Sequence, residues 1–157
     1  MFKVGDPVVY PMHGAGVIES IEDRQVLGET RAYYIIRISR GKMQVMVPVD
    51  GSEKIGLRSI VKPSELDAVY DVLRAESTPM DDNWNRRNRE NMDKLKTGAL
   101  PLVAEVIRNL VRVDRVKKLS TGEKKMLSNS KLILASEMVV SLGISEEEAL
   151  DKIDNLI

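Results

Sequence analysis

The sequence predicts an α+β chain in two parts, a small β barrel or rolled sheet followed by an all-α helical bundle. Three observations predict it. Between Val8 and Val49 the apolar residues fall in short β-branched and aromatic runs separated by turn formers. After Pro63 they recur at i, i+3, i+4 and i+7, the spacing that lines one face of a helix. With 43% apolar residues in 157, there is enough hydrophobic side chain for a core in each part.

The N-terminal runs read VVY, GVIESI, RAYYIIRI and MQVMVPV, broken by MHGAG, VLGET and SRGK. Gly14, Gly16, Gly28 and Gly41 are placed to take the positive φ of tight turns. In GVIESI, alternation puts Val17, Glu19 and Ile21 on one face and Ile18, Ser20 and Glu22 on the other, a mixed pattern of the kind small barrels show. Four or five short strands in about 55 residues, with nothing helical among them, point to an SH3-like barrel over residues 1–60. Residues 61–65 read as a linker and 66–157 as the helical domain. Whether the segment Lys42 to Val47 is an edge strand or an interior one stays open.

In the helical part, Ser64 with Asp67 caps a first helix whose apolar side is Leu66, Val69, Tyr70 and Leu73. Asn83 or Asp82 caps a second, running to Lys96 with Gly98 as its stop. Pro101 opens a third at its first turn, with Leu102, Val103, Val106, Ile107, Leu110 and Val111 on one stripe and Glu105, Arg108, Asn109 and Arg112 opposite. Capping boxes at Ser120 with Glu123 and at Ser145 with Glu148 announce two more, for about five helices in all.

Lysine and arginine balance aspartate and glutamate at 24 each, so net charge gives no argument for nucleic acid. Segregation gives one. Acidic residues gather at both ends of the helical half, and between them lie Arg86, Arg87, Arg89, Arg108, Arg112, Arg115, Lys117, Lys118, Lys124 and Lys125. If they converge they form a basic patch; spacing alone equally allows a solvated face laced with ion pairs. The absence of cysteine excludes a disulfide scaffold and a thiolate metal site. No leader pattern opens the chain and no apolar run reaches the roughly 18 residues of a membrane span, so the expected location is the cytoplasm.

Searches for an enzyme's parts return little. The single histidine, His13, has no partner at metal-ligand or triad spacing and reads as a turn residue hydrogen-bonded to backbone. GAG at residues 14–16 precedes a strand and lacks the third glycine of a dinucleotide fingerprint. The acidic clusters lack the alternating ligands and central glycine of a calcium loop. No catalytic residue, cofactor or metal is expected.

The only tryptophan, Trp84, stands in DDNWNRRNREN, collared by Asn83, Asn85, Arg86, Arg87, Asn88, Arg89 and Asn91. A tryptophan near a helix start can fold back onto the bundle, its N–H satisfied at the rim. An apolar wedge among amide and guanidinium donors also suits insertion between base steps in a minor groove. Composition leaves both readings open.

FKVGDPVVYPMHGAGVIESIE, VPVDGSEKIGLRSIV, NWNRRNREN and LSTGEKKML, in that order, resemble the CarD family of CdnL-type bacterial RNA polymerase-binding regulators. The resemblance runs over nearly the whole chain. It implies a Tudor-like or SH3-like N-terminal domain, shared with transcription-repair coupling factors, that docks on the lobe of the polymerase β subunit. It also implies a helical domain that reaches promoter DNA at the upstream edge of the transcription bubble. Trp84 matches the family's wedge and Arg86, Arg87 and Arg89 its backbone-holding positions, with Lys124 and Lys125 in the same DNA-contacting set. Arg89 stands where some relatives carry lysine, which keeps the charge and changes the hydrogen-bond geometry. On the polymerase side the implied contacts are Arg24, Val26, Gln44 and Met46; Met46 replaces an arginine found in some members, so that charge is missing here.

The function this implies is stabilisation of the open promoter complex, largely without sequence preference, by a protein that is monomeric when free and joins the nucleoid through polymerase. A pure protein–protein adaptor with Trp84 in its core competes with this reading, and so does an RNA-binding module, on fold analogy.

Overall fold

The computed structural model describes all 157 residues. Strands β1 (Pro7–Tyr10), β2 (Gly14–Val26), β3 (Glu29–Ile38), β4 (Gln44–Pro48) and β5 (Arg58–Ser59) pair antiparallel into one sheet of order β4-β3-β2-β1-β5. One short turn, α1 (Ser52–Ile55), separates β4 from β5. The sheet's own core is Val8, Ile18, Tyr34, Ile36, Ile38, Val47 and Leu57. Phe2 closes it, edge-on to Tyr34 with ring centres 5.8 Å apart, while its backbone N–H donates to the Tyr34 hydroxyl.

The alternation read in GVIESI is interrupted, because the β2–β3 register shifts between Ile18 and Ser20. Ile18 is fully buried, and from Asp23 to Arg31 every residue is exposed, so the distal half of the hairpin projects beyond the core. Its turn, Leu27–Gly28, has φ of 52° and 81°. Gly14, Gly28 and Gly41 take the positive φ expected of them, but Gly16 does not. Gly16 is needed for closeness: a Cβ there would lie 2.7 Å from the Arg37 carbonyl oxygen on the neighbouring strand.

Five helices follow: α2 (Leu66–Arg74), α3 (Trp84–Lys96), α4 (Leu100–Val116), α5 (Thr121–Leu142) and α6 (Glu146–Leu156). The order of sheet then helices is the α+β arrangement the periodicity predicts. Leu66, Val69, Tyr70 and Leu73 are all buried in a 20-residue core with Ile107, Leu110, Leu134, Met138 and Ile153. Each such side chain contributes roughly 1.5–3 kcal/mol. No single helix is long and apolar enough to cross a membrane.

The helix starts differ in detail from the expectations. Ser64 caps nothing; Pro63–Glu65 forms a 3₁₀ turn in which the Glu65 carboxylate accepts the Lys62 N–H at 3.1 Å, and α2 begins at Leu66. Asn83 caps α3, its Oδ1 accepting from Arg86 N–H at 3.1 Å. The Ser145 and Glu148 box is complete. At Ser120 only half the box forms: its Oγ accepts the Glu123 N–H, and the Glu123 carboxylate accepts from Arg87 and the Ser120 hydroxyl rather than from the Ser120 N–H.

The polar face assigned to α4 needs correction. Arg108 and Asn109 are 3% and 2% exposed, because the connection between α2 and α3 lies across that face. Between the two halves, α5 lies along β2, and Arg58–Glu137 and Arg40–Asn129 cross the junction.

Candidate nucleic-acid interface

The site is built on the start of α3, and what places that start is the irregular stretch 75–83. Thr78 is its anchor. The Thr78 N–H donates to Asn109 Oδ1, its hydroxyl donates to Glu105 at 2.8 Å, and the same oxygen accepts from Asn109 Nδ2 at 2.8 Å and from Arg108 Nη2 at 3.3 Å. Arg108 also donates to Val72 O, and Arg112 to Ala75 O and Ser77 Oγ. Burial lowers the Arg108 pKa, with nearby Glu105 opposing the shift. At Glu105 burial alone would raise the carboxyl pKa, but hydrogen bonds from Lys94 and Thr78 and the charges of Lys94 and Arg108 outweigh it, so the group lies below the ordinary glutamate value.

Trp84 is the first residue of α3 and stays 45% exposed. Its indole N–H donates to Ser120 Oγ at 3.3 Å, and the ring lies against the first turn of α5, 3.7 Å from where a Cβ on Gly122 would sit. One turn on, Arg87 grips Glu123 in a bidentate pair, Nε to Oε2 at 2.9 Å and Nη2 to Oε1 at 3.1 Å. Its remaining nitrogen, Nη1, donates to the Asp81 carbonyl. The hydrogen bond to Glu123 raises the Arg87 pKa, and burial only partly offsets it. Helices α3 and α5 are thus pinned at their N-termini, and the ring is held between core and solvent.

The other predicted residues are placed differently. Arg86 is 70% exposed, its nearest acid Asp81 at 4.0 Å, and Arg89 is exposed with no ion pair. Lys124 and Lys125 are exposed on the α5 turn that follows Glu123, also unpaired. Arg89, Lys124 and Lys125 make no ion pair and Arg86 only a long one to Asp81, whereas Arg87, Arg108 and Arg112 are committed within the protein. Beside the ring opens a groove of about 780 Å³ lined by Met80, Val113, Val116, Leu119, Lys117 and Lys118. Sequence reasoning missed Ser120 and Glu123 as partners of the ring and of Arg87. The half-formed capping box was their only local signal, and it could not name a partner 36 residues away.

On the sheet, β4 is an edge strand bonded only to β3, which settles the position of Gln44 and Met46; Lys42 precedes it in a 3₁₀ turn. Met46 is 44% exposed beside Ile35, and Gln44 Nε2 reaches Glu19 at 3.0 Å. Arg24 and Val26 lie on the projecting hairpin, where Arg24 pairs with Glu22 at 3.0 Å. Arg24 faces Arg31, four ladder rows from the row of Met46 and Ile35 and so about 13 Å away along β3. The two pairs do not form one cluster. His13 stacks on Tyr10 with ring centres 4.9 Å apart, its backbone N–H donating to Tyr10 O. No cluster of three His, Asp or Glu side chains is arranged to hold a metal ion.

Comparison with known proteins matches both halves in order. The family model "CarD-like/TRCF RID domain" matches residues 2–61 and "CarD, C-terminal domain" matches residues 68–154. The protein described as "Putative transcription factor YdeB" of Bacillus subtilis (strain 168) is 39% identical over 148 residues, 94% of this chain and 97% of that protein. A solved structure, "CdnLNt from Myxoccoccus xanthus", is 38% identical over 39% of this chain and 86% of its own, with a TM-score of 0.33. With both domain models in order and a relative of this identity over nearly its full length, the chain belongs to the CarD family of transcription regulators.

Proposed function

We propose that the protein binds the β subunit of bacterial RNA polymerase through residues 1–60 and stabilises the open promoter complex through residues 66–157. In this reading Trp84 wedges into the minor groove at the upstream bubble edge. The observation that carries it is the half-exposed indole, fixed by Ser120 and by the Arg87–Glu123 pair, with exposed Arg86 and Arg89 on the same helix and exposed Lys124 and Lys125 on the helix the ring rests against. Packing alone does not account for an indole that stays 45% exposed in the folded chain. Arg87 supports the wedge by pinning the start of α3 to α5 through Glu123.

The mechanism is differential affinity. Promoter DNA opens and recloses, and a factor that grips only the open form shifts that equilibrium by the difference in its affinities. Stacking at an unstacked step is worth roughly 1–3 kcal/mol per base, where about 1.4 kcal/mol is tenfold in an equilibrium. The exposed cations hold phosphates without reading sequence. Tethering through the sheet raises the local concentration of the helical domain at the fork, which makes a neutral net charge sufficient. At the sheet, the open edge of β4 offers backbone groups that a strand of the β lobe completes, and Gln44 and Met46 sit on that edge. Arg24 and Val26 supply a second contact from the hairpin. The protein acts in the cytoplasm, is monomeric when free, and reaches the nucleoid through polymerase.

The test is the lifetime of open promoter complexes with no factor, with wild type, and with a folded, polymerase-binding Trp84→Ala. Wild type is expected to lengthen it and the variant to lose about tenfold of that effect. Equal lifetimes with wild type and variant would remove the wedge and leave an adaptor. Arg86→Ala and Arg89→Ala are expected to shorten the lifetime mainly as salt rises; losses independent of salt contradict phosphate contacts. Hydrogen exchange on polymerase binding should protect 44–48, and no added protection there would sink strand pairing.

A further inference from the structure

The two contact surfaces of the proposed function are joined by one helix. Helix α5 begins at the ring, where Ser120 accepts the Trp84 N–H and Glu123 holds Arg87. About 25 Å further along the same helix, Glu137 meets the sheet. Glu137 is 0% exposed, and its carboxylate takes Arg58 Nη1 at 2.7 Å, Arg58 Nη2 at 2.8 Å and the Val61 N–H at 2.8 Å. Arg58 Nη2 also donates to the Gly98 carbonyl. The pair therefore binds β5, the connection to α2, the α3–α4 turn and α5 at one point.

Other contacts repeat this grip. Ser136 Oγ accepts the Ala15 N–H at 3.0 Å, and Ser141 Oγ donates to Val61 O at 2.7 Å. A Cβ on Gly14 would meet Ser136 Oγ at 2.6 Å, so β2 and α5 approach as closely as glycine allows. A Cβ on Gly98 would come within 2.9 Å of Pro11. The fully buried cores of the two halves are separate clusters, with Met12 of the β1–β2 turn packed against the helical one, and the polar junction adds directional contacts that apolar packing does not supply. A buried charge left without its partner is costly, which makes the junction all-or-none.

We propose that Arg58 and Glu137 are positioning residues for open-complex stabilisation: their ion pair locks α5 to the sheet and so sets the distance and angle from the polymerase-contacting edge to Trp84. This rests on the proposed function above. A rigid span concentrates the wedge at one place on the fork, and a loose one dilutes it over many.

The chain has no cysteine, so a pair of spin labels can be placed without background. Lys54→Cys in α1 and Glu90→Cys in α3, both exposed, report the angle in the full chain. The expected result is one narrow distance distribution, which Arg58→Met broadens or splits while each label's own domain keeps its circular dichroism. Should Arg58→Met unfold the chain, Glu137→Gln is read in the same way, and Arg58→Lys should recover part of the narrowing. An unchanged narrow distribution in both Arg58→Met and Glu137→Gln overturns the proposal, whatever happens at promoters.

The functional arm uses open-complex lifetime at saturating factor. Arg58→Met is expected to shorten it three- to tenfold, and Arg58→Met with Trp84→Ala to be no worse than Trp84→Ala alone, because the junction acts through the ring. Losses that multiply would overturn a positioning role. If Trp84→Ala itself loses nothing, the wedge reading fails and the positioning role falls with it, while the distance measurement still decides whether the junction locks the domains.

Discussion

The sheet and the helical half treat polar side chains in opposite ways. The sheet half buries one, Ser52; the helical half buries Asn91, Arg108, Asn109, Glu123, Ser130 and Glu137. In the sheet the backbone groups pair along the ladder, and side chains need only alternate. In the helical half the stretch 75–83 has no ladder, so Arg108, Asn109 and Arg112 of α4 supply its hydrogen bonds from outside. Regular backbone tolerates substitution at its surface. Irregular backbone that places a functional residue depends on particular distant side chains.

Replacing Arg108 by Met should break the helical side of this comparison most. It removes the donors to Val72 O and Thr78 and strips Asn109 of a partner, at a cost of about 3 kcal/mol in urea unfolding. A cost below about 1 kcal/mol would mean that Arg112 and Asn109 hold the stretch by themselves.

Acid should act next, through Glu105. Its folded-state pKa is below the ordinary 4.5, so its pairing with Lys94 and Thr78 stabilises the fold above that value and is lost as pH falls through it and below. The melting temperature of wild type should therefore drop more steeply below pH 4.5 than that of Glu105→Gln. Parallel curves would show that this carboxylate carries none of the acid sensitivity.

The smallest effect belongs to the sheet. Leu27 is 99% exposed at positive φ, and Asn accepts that conformation more readily before glycine, so Leu27→Asn should change stability by no more than about 0.5 kcal/mol, upward. A loss larger than that would give the hairpin tip packing that its exposure denies.

Much of the fold was legible because it follows period. The strands, the five helices after Pro63, the Asn83 cap and the full Ser145 box were all local signals. The bulge after Ile18 was not, since a register shift depends on the facing strand. Nor was the burial of Arg108 and Asn109, which follows from a connection that crosses α4 and has no period of its own. At the site, Trp84 and its arginines stood out by composition. Separating committed Arg87 from exposed Arg86 and Arg89 required Glu123, which only folding brings near.

Helix α5 also gives the molecule a pitch. Between Ser120 and Glu137 one inserted residue would advance the ring by about 1.5 Å and swing it by about 100°. Seven would restore its heading to within about 20° yet carry it about 10 Å outward. The Leu27–Gly28 turn sets the place of no other element, but this helix works like a screw thread cut to one length: any change between its two ends moves the ring against the sheet.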